Sequence, residues 1–149
     1  MSPRKPAAPA RKAAGGGNRG KAPLRRAATV VVLDSSCWLE FFADTERADL
    51  YAAVIEQAET LVVPVLTAYE VAKKLARAAG DEVATAALSL MQRGRVIAID
   101  LPLALDAAVN GLPLADSLIY ATAQQHGAEL WTQDKHFDGL PGVRYFPKP

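Results

Sequence analysis

Apolar residues follow two rhythms along this chain. Short runs, "TVVVL" (29–33), "TLVVP" (60–64), "RVIAID" (95–100) and "AELWT" (128–132), predict strands, and "TVVVL", rich in β-branched residues, predicts a buried one. A last strand is expected around "VRYF" (143–146). Between the strands the apolar positions recur at helical spacing, in "SSCWLEFF", "ERADLYAAVIEQA", "LTAYEVAKKLARAAG", "DEVATAALSLMQRG", "PLALDAAVNG" and "PLADSLIYATAQQH". Pro64 stops the second strand, and Gly80 and Gly94 stop two of the helices. A helical turn is expected over "DKHF". Strands alternating with helices imply an α/β domain whose central sheet is mostly parallel and covered on both faces.

The first 28 residues fit neither rhythm. They are rich in Pro, Ala and Gly and offer too little apolar surface to offset the entropy of ordering, so residues 1–28 are expected to be a disordered arm and 29–149 the folded domain. Charge divides at the same place. Arg4, Lys5, Arg11, Lys12, Arg19, Lys21, Arg25 and Arg26 give the arm +8 with no acid, which leaves 9 basic and 16 acidic residues, −7, in the remainder. The arm's charge allows contact with nucleic acid, but a solubilising tail or a start placed too far upstream is the plainer account.

Composition removes several function classes. One cysteine, Cys37, allows no internal disulfide and no Cys-rich zinc site, which fits a reducing, cytoplasmic setting. The longest apolar runs are far short of the ~20 residues that span a bilayer. The basic N-terminus lacks the apolar stretch of a secretory signal.

Four acids stand in related places. Asp34 follows the first strand, Asp134 follows the fourth, Glu70 opens the helix after the second strand, and Asp116 opens the helix before the fourth. Each has a plain account. Aspartate caps helices, Thr67 and Glu70 spell a T-x-x-E capping box, Glu70 has Lys73 and Lys74 at helical spacing, and Asp81 opens a helix with no strand before it. Together they say more. The carboxyl ends of parallel strands line the crevice where ligands bind. Four carboxylates converging there repel one another unless a cation is present. An all-oxygen cluster suits Mg2+, with Mn2+ as a substitute, and such an ion promotes phosphodiester hydrolysis.

With those residues in view, "VVLDSSCWLEFF", "VPVLTAYEVAKKL" and "LPLADSLIYATAQQHGAELWTQDKHF", in that order, resemble the PIN-domain family, most closely the VapC-type toxins of bacterial toxin–antitoxin pairs. The likeness covers nearly all of 30–146. It implies a three-layer α/β/α domain. It implies further that Asp34 and Asp116 ligate Mg2+, that Glu70 completes the triad holding the metal or its waters, and that Asp134 supports a metal or orients the attacking water. Ser36 and Thr132 match supporting hydroxyl positions. The implied protein is a metal-dependent endoribonuclease and toxin of a type II toxin–antitoxin system. Its expected partners are an RNA substrate, a VapB-type antitoxin whose C-terminal segment fills the groove, and a second copy of itself. "LPLALDAAVNG" is several residues shorter than the family usually has, so a truncated helix is expected before Asp116.

The competing readings are weaker. "DSSC" has serine where a haloacid-dehalogenase phosphatase needs its second Asp, and no strand ends in the adjacent acids of a receiver domain. A catalytically silent PIN-like module that binds RNA or protein is the alternative from another class. Outside the acids, His126 is expected to meet a helix C-terminus rather than to act in catalysis, and His136 to lie on the surface, with contact to a substrate phosphate as its alternative. Lys73, Lys74 and Arg77 are expected either beside the site or on a solvated face. Trp38, Phe41, Phe42 and Tyr51 suit the core or a self-association surface, Trp131 suits packing within the sheet, and Cys37 suits a small apolar filler.

Overall fold

The computed structural model describes residues 29–149, so the expected arm lies outside the described residues. Five strands form one sheet in the order β3-β2-β1-β4-β5. They are β1 (Val31–Leu33), β2 (Leu61–Pro64), β3 (Arg95–Ile97), β4 (Glu129–Thr132) and β5 (Val143–Tyr145). All four pairings are parallel, with Val31 opposite both Leu61 and Glu129. The sheet is therefore parallel throughout, and β1 lies at its centre.

The strand pattern explains the two covered faces. Side chains alternate along a strand, so Val31, Leu33, Leu61 and Val63 enter one buried cluster while Val32, Val62 and Leu130 enter another. Helices α1 (Ser35–Phe42), α2 (Ala48–Glu56), α3 (Val65–Ala79) and α4 (Asp81–Met91) close the first face with Trp38, Phe42, Tyr51 and Met91, all fully buried. Truncating one of those aromatic residues to alanine costs about 3–5 kcal/mol. Helix α6 (Leu114–Gln125) closes the second face with Ile119 and Tyr120, and α5 (Leu101–Ala108) packs against α6. The three layers are those of a doubly covered α/β sheet.

Local signals set the boundaries. Helix α5 forms despite the short segment, its N-cap Asp100 accepting from the Leu103 amide at 3.0 Å. Gly94 lies where an added Cβ would stand 2.9 Å from the Leu61 carbonyl oxygen, so the turn into β3 has no room for a side chain. Two expected details change. The T-x-x-E capping box does not form, because α3 starts directly from Pro64 at Val65; Thr67 is then inside the helix with its hydroxyl buried and unpartnered, and Glu70 falls in the second turn. Asp81 lies within the first turn of α4 behind Gly80 and makes no cap hydrogen bond. The predicted core residues Cys37, Trp38, Phe41, Phe42 and Tyr51 are all buried.

Candidate active site

The acids meet at the carboxyl edge of β1 and β4. A cleft of about 560 Å³ opens there, lined by Asp34, Ser36, Glu70, Asp116 and Asp134. Each arrives by a different route. Asp34 leaves β1 and caps α1, accepting from the Ser35 amide at 2.9 Å. Asp134 leaves β4 and caps the helical turn Lys135–Phe137, accepting from the His136 amide at 2.9 Å. Glu70 projects from α3 and Asp116 from the first turn of α6. Capping and convergence are thus not alternatives here; two of the acids do both.

Asp34 is the most enclosed, with 6% of its surface exposed. The Thr132 hydroxyl donates to its Oδ2 at 2.8 Å and Ser36 Oγ donates to the same oxygen at 3.4 Å. Thr132 lies beneath the cleft; its hydroxyl also accepts from the Asp134 amide at 2.9 Å, so it joins the two strand-end acids. Ser36 and Thr132, expected as supporting hydroxyls, both reach the first acid.

The electrostatics are those of crowded carboxylates. Burial raises the Asp34 carboxyl above the ordinary aspartate range, the Thr132 and Ser35 hydrogen bonds counteract this, and the Asp116 and Asp134 charges push it up further. Burial likewise raises Glu70; Asp34 adds to that, and Lys74 opposes it. Asp116 is raised by burial and then by Asp134, with a His136 hydrogen bond opposing. One Glu70 carboxylate oxygen, Oε1, is buried with no hydrogen-bond partner. A buried, unpartnered carboxylate oxygen among other carboxylates is costly in the protein alone. A divalent cation removes that cost, and the oxygen donor set is the one Mg2+ and Mn2+ take. The residues present fit such an ion.

Several neighbours had no strong sequence signal. Lys74, Lys135, Lys148 and Tyr145 line the same cleft, so basic side chains rim an acidic floor. Of the three basic residues on α3, only Lys74 lines it, while Lys73 lies 5.7 Å from the Tyr69 ring centroid. His136, expected on the surface or against a substrate phosphate, is exposed but directs Nδ1 at Asp116 Oδ2 (3.2 Å) and at Asp134 Oδ1 (3.4 Å). Its position after a T-x-D run was the available signal. Gln133 is buried and donates through Nε2 to the Tyr51 hydroxyl at 2.9 Å, which ties β4 to α2 behind the acids. His126 keeps the local role expected of it, with Nδ1 2.9 Å from the Thr122 carbonyl oxygen at the end of α6. Burial pushes the Cys37 thiol up to about 12, which makes it an inert core group.

A family model for the PIN domain matches residues 31–143, and the chain belongs to the PIN-domain family. Solved structures share the fold. A toxin–antitoxin complex from Klebsiella pneumoniae aligns with a TM-score of 0.68 at 24% identity, covering 79% of this chain and 99% of that one. A DNA-bound VapBC from Salmonella typhimurium aligns with a TM-score of 0.61 at 16% identity, over 80% of this chain and 98% of that one. The sarcin–ricin loop cleaving toxin VapC20 of Mycobacterium tuberculosis aligns with a TM-score of 0.56 at 17% identity, over 72% and 91%. At these identities the likeness is one of fold. A search of the curated proteins found no match. Among the described residues no helix is long and apolar enough to cross a membrane.

Proposed function

We propose that this chain is a Mg2+-dependent endoribonuclease, the toxin of a type II toxin–antitoxin pair acting in the cytoplasm. The observation that carries the reading is the convergence of Asp34, Glu70, Asp116 and Asp134 in one cleft of a PIN-family fold, with Glu70 Oε1 buried and unpartnered. Asp34 and Asp116 would hold the cation, with Glu70 completing the set and Asp134 supporting a metal or orienting the attacking water. When bound, the cation supplies charge stabilisation at the phosphodiester and eases ionisation of that water. The chain's own residues do the rest. Thr132 and Ser36 fix the Asp34 carboxylate, while Lys74, Lys135 and Lys148 attract RNA phosphates to a domain that is otherwise acidic.

Two partners belong to this reading. The aligned Klebsiella and Salmonella structures are toxin–antitoxin assemblies by description, which supports a VapB-type antitoxin here. A second copy of the chain is supported by the apolar face of α5 and the start of α6. There Leu101, Leu105, Val109 and Leu114 are 70%, 61%, 84% and 79% exposed, an arrangement a monomer rarely keeps in water.

The test is cleavage of a mixed structured RNA pool by the purified chain in Mg2+, in EDTA, and by Asp116→Asn in Mg2+. Metal-dependent cleavage that falls by about a thousandfold in the variant is expected, since metal catalysis is worth several kcal/mol. Equal cleavage in all three conditions would exclude the metal mechanism. A folded wild-type chain that leaves every RNA intact would favour the silent binding module.

A further inference from the structure

We infer that His136 is a metal ligand of this site, completing with Asp116 and Asp134 a mixed nitrogen and oxygen set through which Mn2+ binds more tightly as a substitute for Mg2+. The inference rests on the metal-site reading above, but it concerns a residue outside the four acids.

The geometry is that of neighbouring ligands around one ion. His136 Nδ1 stands 3.2 Å from Asp116 Oδ2 and 3.4 Å from Asp134 Oδ1, and single ligand atoms of all three residues lie within 4.8 Å of one another. An octahedral ion with ligands at about 2.1 Å separates adjacent ligand atoms by about 3.0 Å and opposite ones by about 4.2 Å. The observed spacings fall in and just above that range. Little movement is therefore needed to receive an ion.

The backbone holds this arrangement. Asp134 Oδ1 accepts from the His136 amide at 2.9 Å, which fixes the two residues' relative orientation on the turn after β4. Phe137, the next residue, is fully buried and anchors the turn to the core. Asp116 reaches the same point from the first turn of α6. The His136 side chain is more than half exposed, so water or a substrate phosphate can approach it.

The donor types decide the preference. Mg2+ takes oxygen and is a poor partner for imidazole, whereas Mn2+ accepts mixed nitrogen and oxygen ligands. Asp34 and Glu70 offer oxygen alone. The Asp116–Asp134–His136 side of the cleft is consequently where the two ions are told apart.

Because the chain has only 2 histidines, nitrogen coordination can be assigned without ambiguity. The experiment is pulsed electron paramagnetic resonance of Mn2+ bound to the tag-free full chain, on the wild type, His136→Gln and His126→Gln. Nitrogen hyperfine coupling is expected in the wild type and His126→Gln, and is expected to vanish in His136→Gln. In calorimetric titrations of the same proteins, His136→Gln should weaken Mn2+ about tenfold and move Mg2+ much less. Mn2+ bound through oxygen alone in the wild type would overturn the role of His136 and leave the nuclease reading standing. Coupling that survives in His136→Gln would also overturn it. Failure of the folded chain to bind Mn2+ at all would overturn both.

Discussion

The Thr132 hydroxyl donates to Asp34 Oδ2 at 2.8 Å, joining the end of β4 to the end of β1 across 98 residues of sequence. The same hydroxyl accepts from the Asp134 amide at 2.9 Å. One side chain therefore sets the orientation of one acid and the backbone of another. Thr132→Val keeps the shape and removes both bonds. The expected cost is about 1.5–3 kcal/mol, because a buried, charge-assisted bond is lost and Asp34 stays buried. Metal affinity should fall about tenfold or more, as when the support of a metal ligand is removed. Thr132→Ser should recover most of both. Urea unfolding and Mn2+ titration of the three proteins check this, and a Val variant with unchanged metal affinity would remove Thr132 from the site.

Crowding of the acids gives stability a definite pH dependence. Asp34, Glu70 and Asp116 have their folded values raised above the ordinary 3.8 of Asp and 4.5 of Glu. Between the ordinary and the raised values the folded chain holds protons that the unfolded chain has released. Raising the pH through that window therefore lowers stability. Asp34→Asn removes the most buried of the three charges and keeps a capping side chain. The metal-free variant is expected to melt a few degrees above the wild type at neutral pH, with the gap closing as the pH falls toward 4. Saturating Mg2+ should reverse the order, since only the wild type gains from binding. Thermal melts across pH, with and without the ion, decide it. A variant less stable than the metal-free wild type at neutral pH would contradict the assigned repulsion.

How much of this was legible in the sequence depends on the range of the signal. Strands β1 and β2 were legible because a parallel strand buried on both faces must be an unbroken apolar run, as Val31–Leu33 and Leu61–Val63 are. Asp34 was legible because it follows such a run directly, and Asp134 because it stands two residues past the end of β4. The start of α3 was misjudged, since Thr67 and Glu70 have capping chemistry at capping spacing. The chain nonetheless enters the helix straight from Pro64, which overrides that local preference. The parts hardest to see depend on contacts between distant segments. Asp116 and His136 are 20 residues apart, and Gln133 and Tyr51 are 82 apart. No periodicity in either segment encodes such a meeting.

The apolar stripe on α5 has a consequence for assembly. Leu101 and Leu105 lie four apart on one face of α5, Val109 caps its end at the next step of four, and all three are exposed. Replacing Leu105 and Val109 together with Asp should convert a dimer to a monomer while leaving the fold intact, because neither side chain is buried. Sedimentation velocity of both proteins reads this directly. A wild-type chain that is already monomeric at micromolar concentration would remove the second copy from the proposed assembly.

Arg47 makes the remaining prediction, because it holds the C-terminal segment against the cleft. Its Nη1 donates to the Phe146 carbonyl oxygen at 3.3 Å, and its Nη2 donates to that of Pro147. The residues so held include Tyr145, Pro147 and Lys148, which line the cleft beside the acids. Arg47 is not itself among the lining residues. Arg47→Ala should therefore loosen a wall of the binding groove without touching the metal set. With about 1 kcal/mol for each of the two lost hydrogen bonds, RNA affinity and KM should worsen by up to roughly thirtyfold. The turnover number and Mn2+ affinity should stay within about twofold of wild type, since uniform binding alone is lost. Lys148→Ala should act in the same direction. Anisotropy with an uncleavable RNA, set beside steady-state kinetics, separates the two effects. A fall in turnover at unchanged KM would mean that the segment supports the acids and not the substrate.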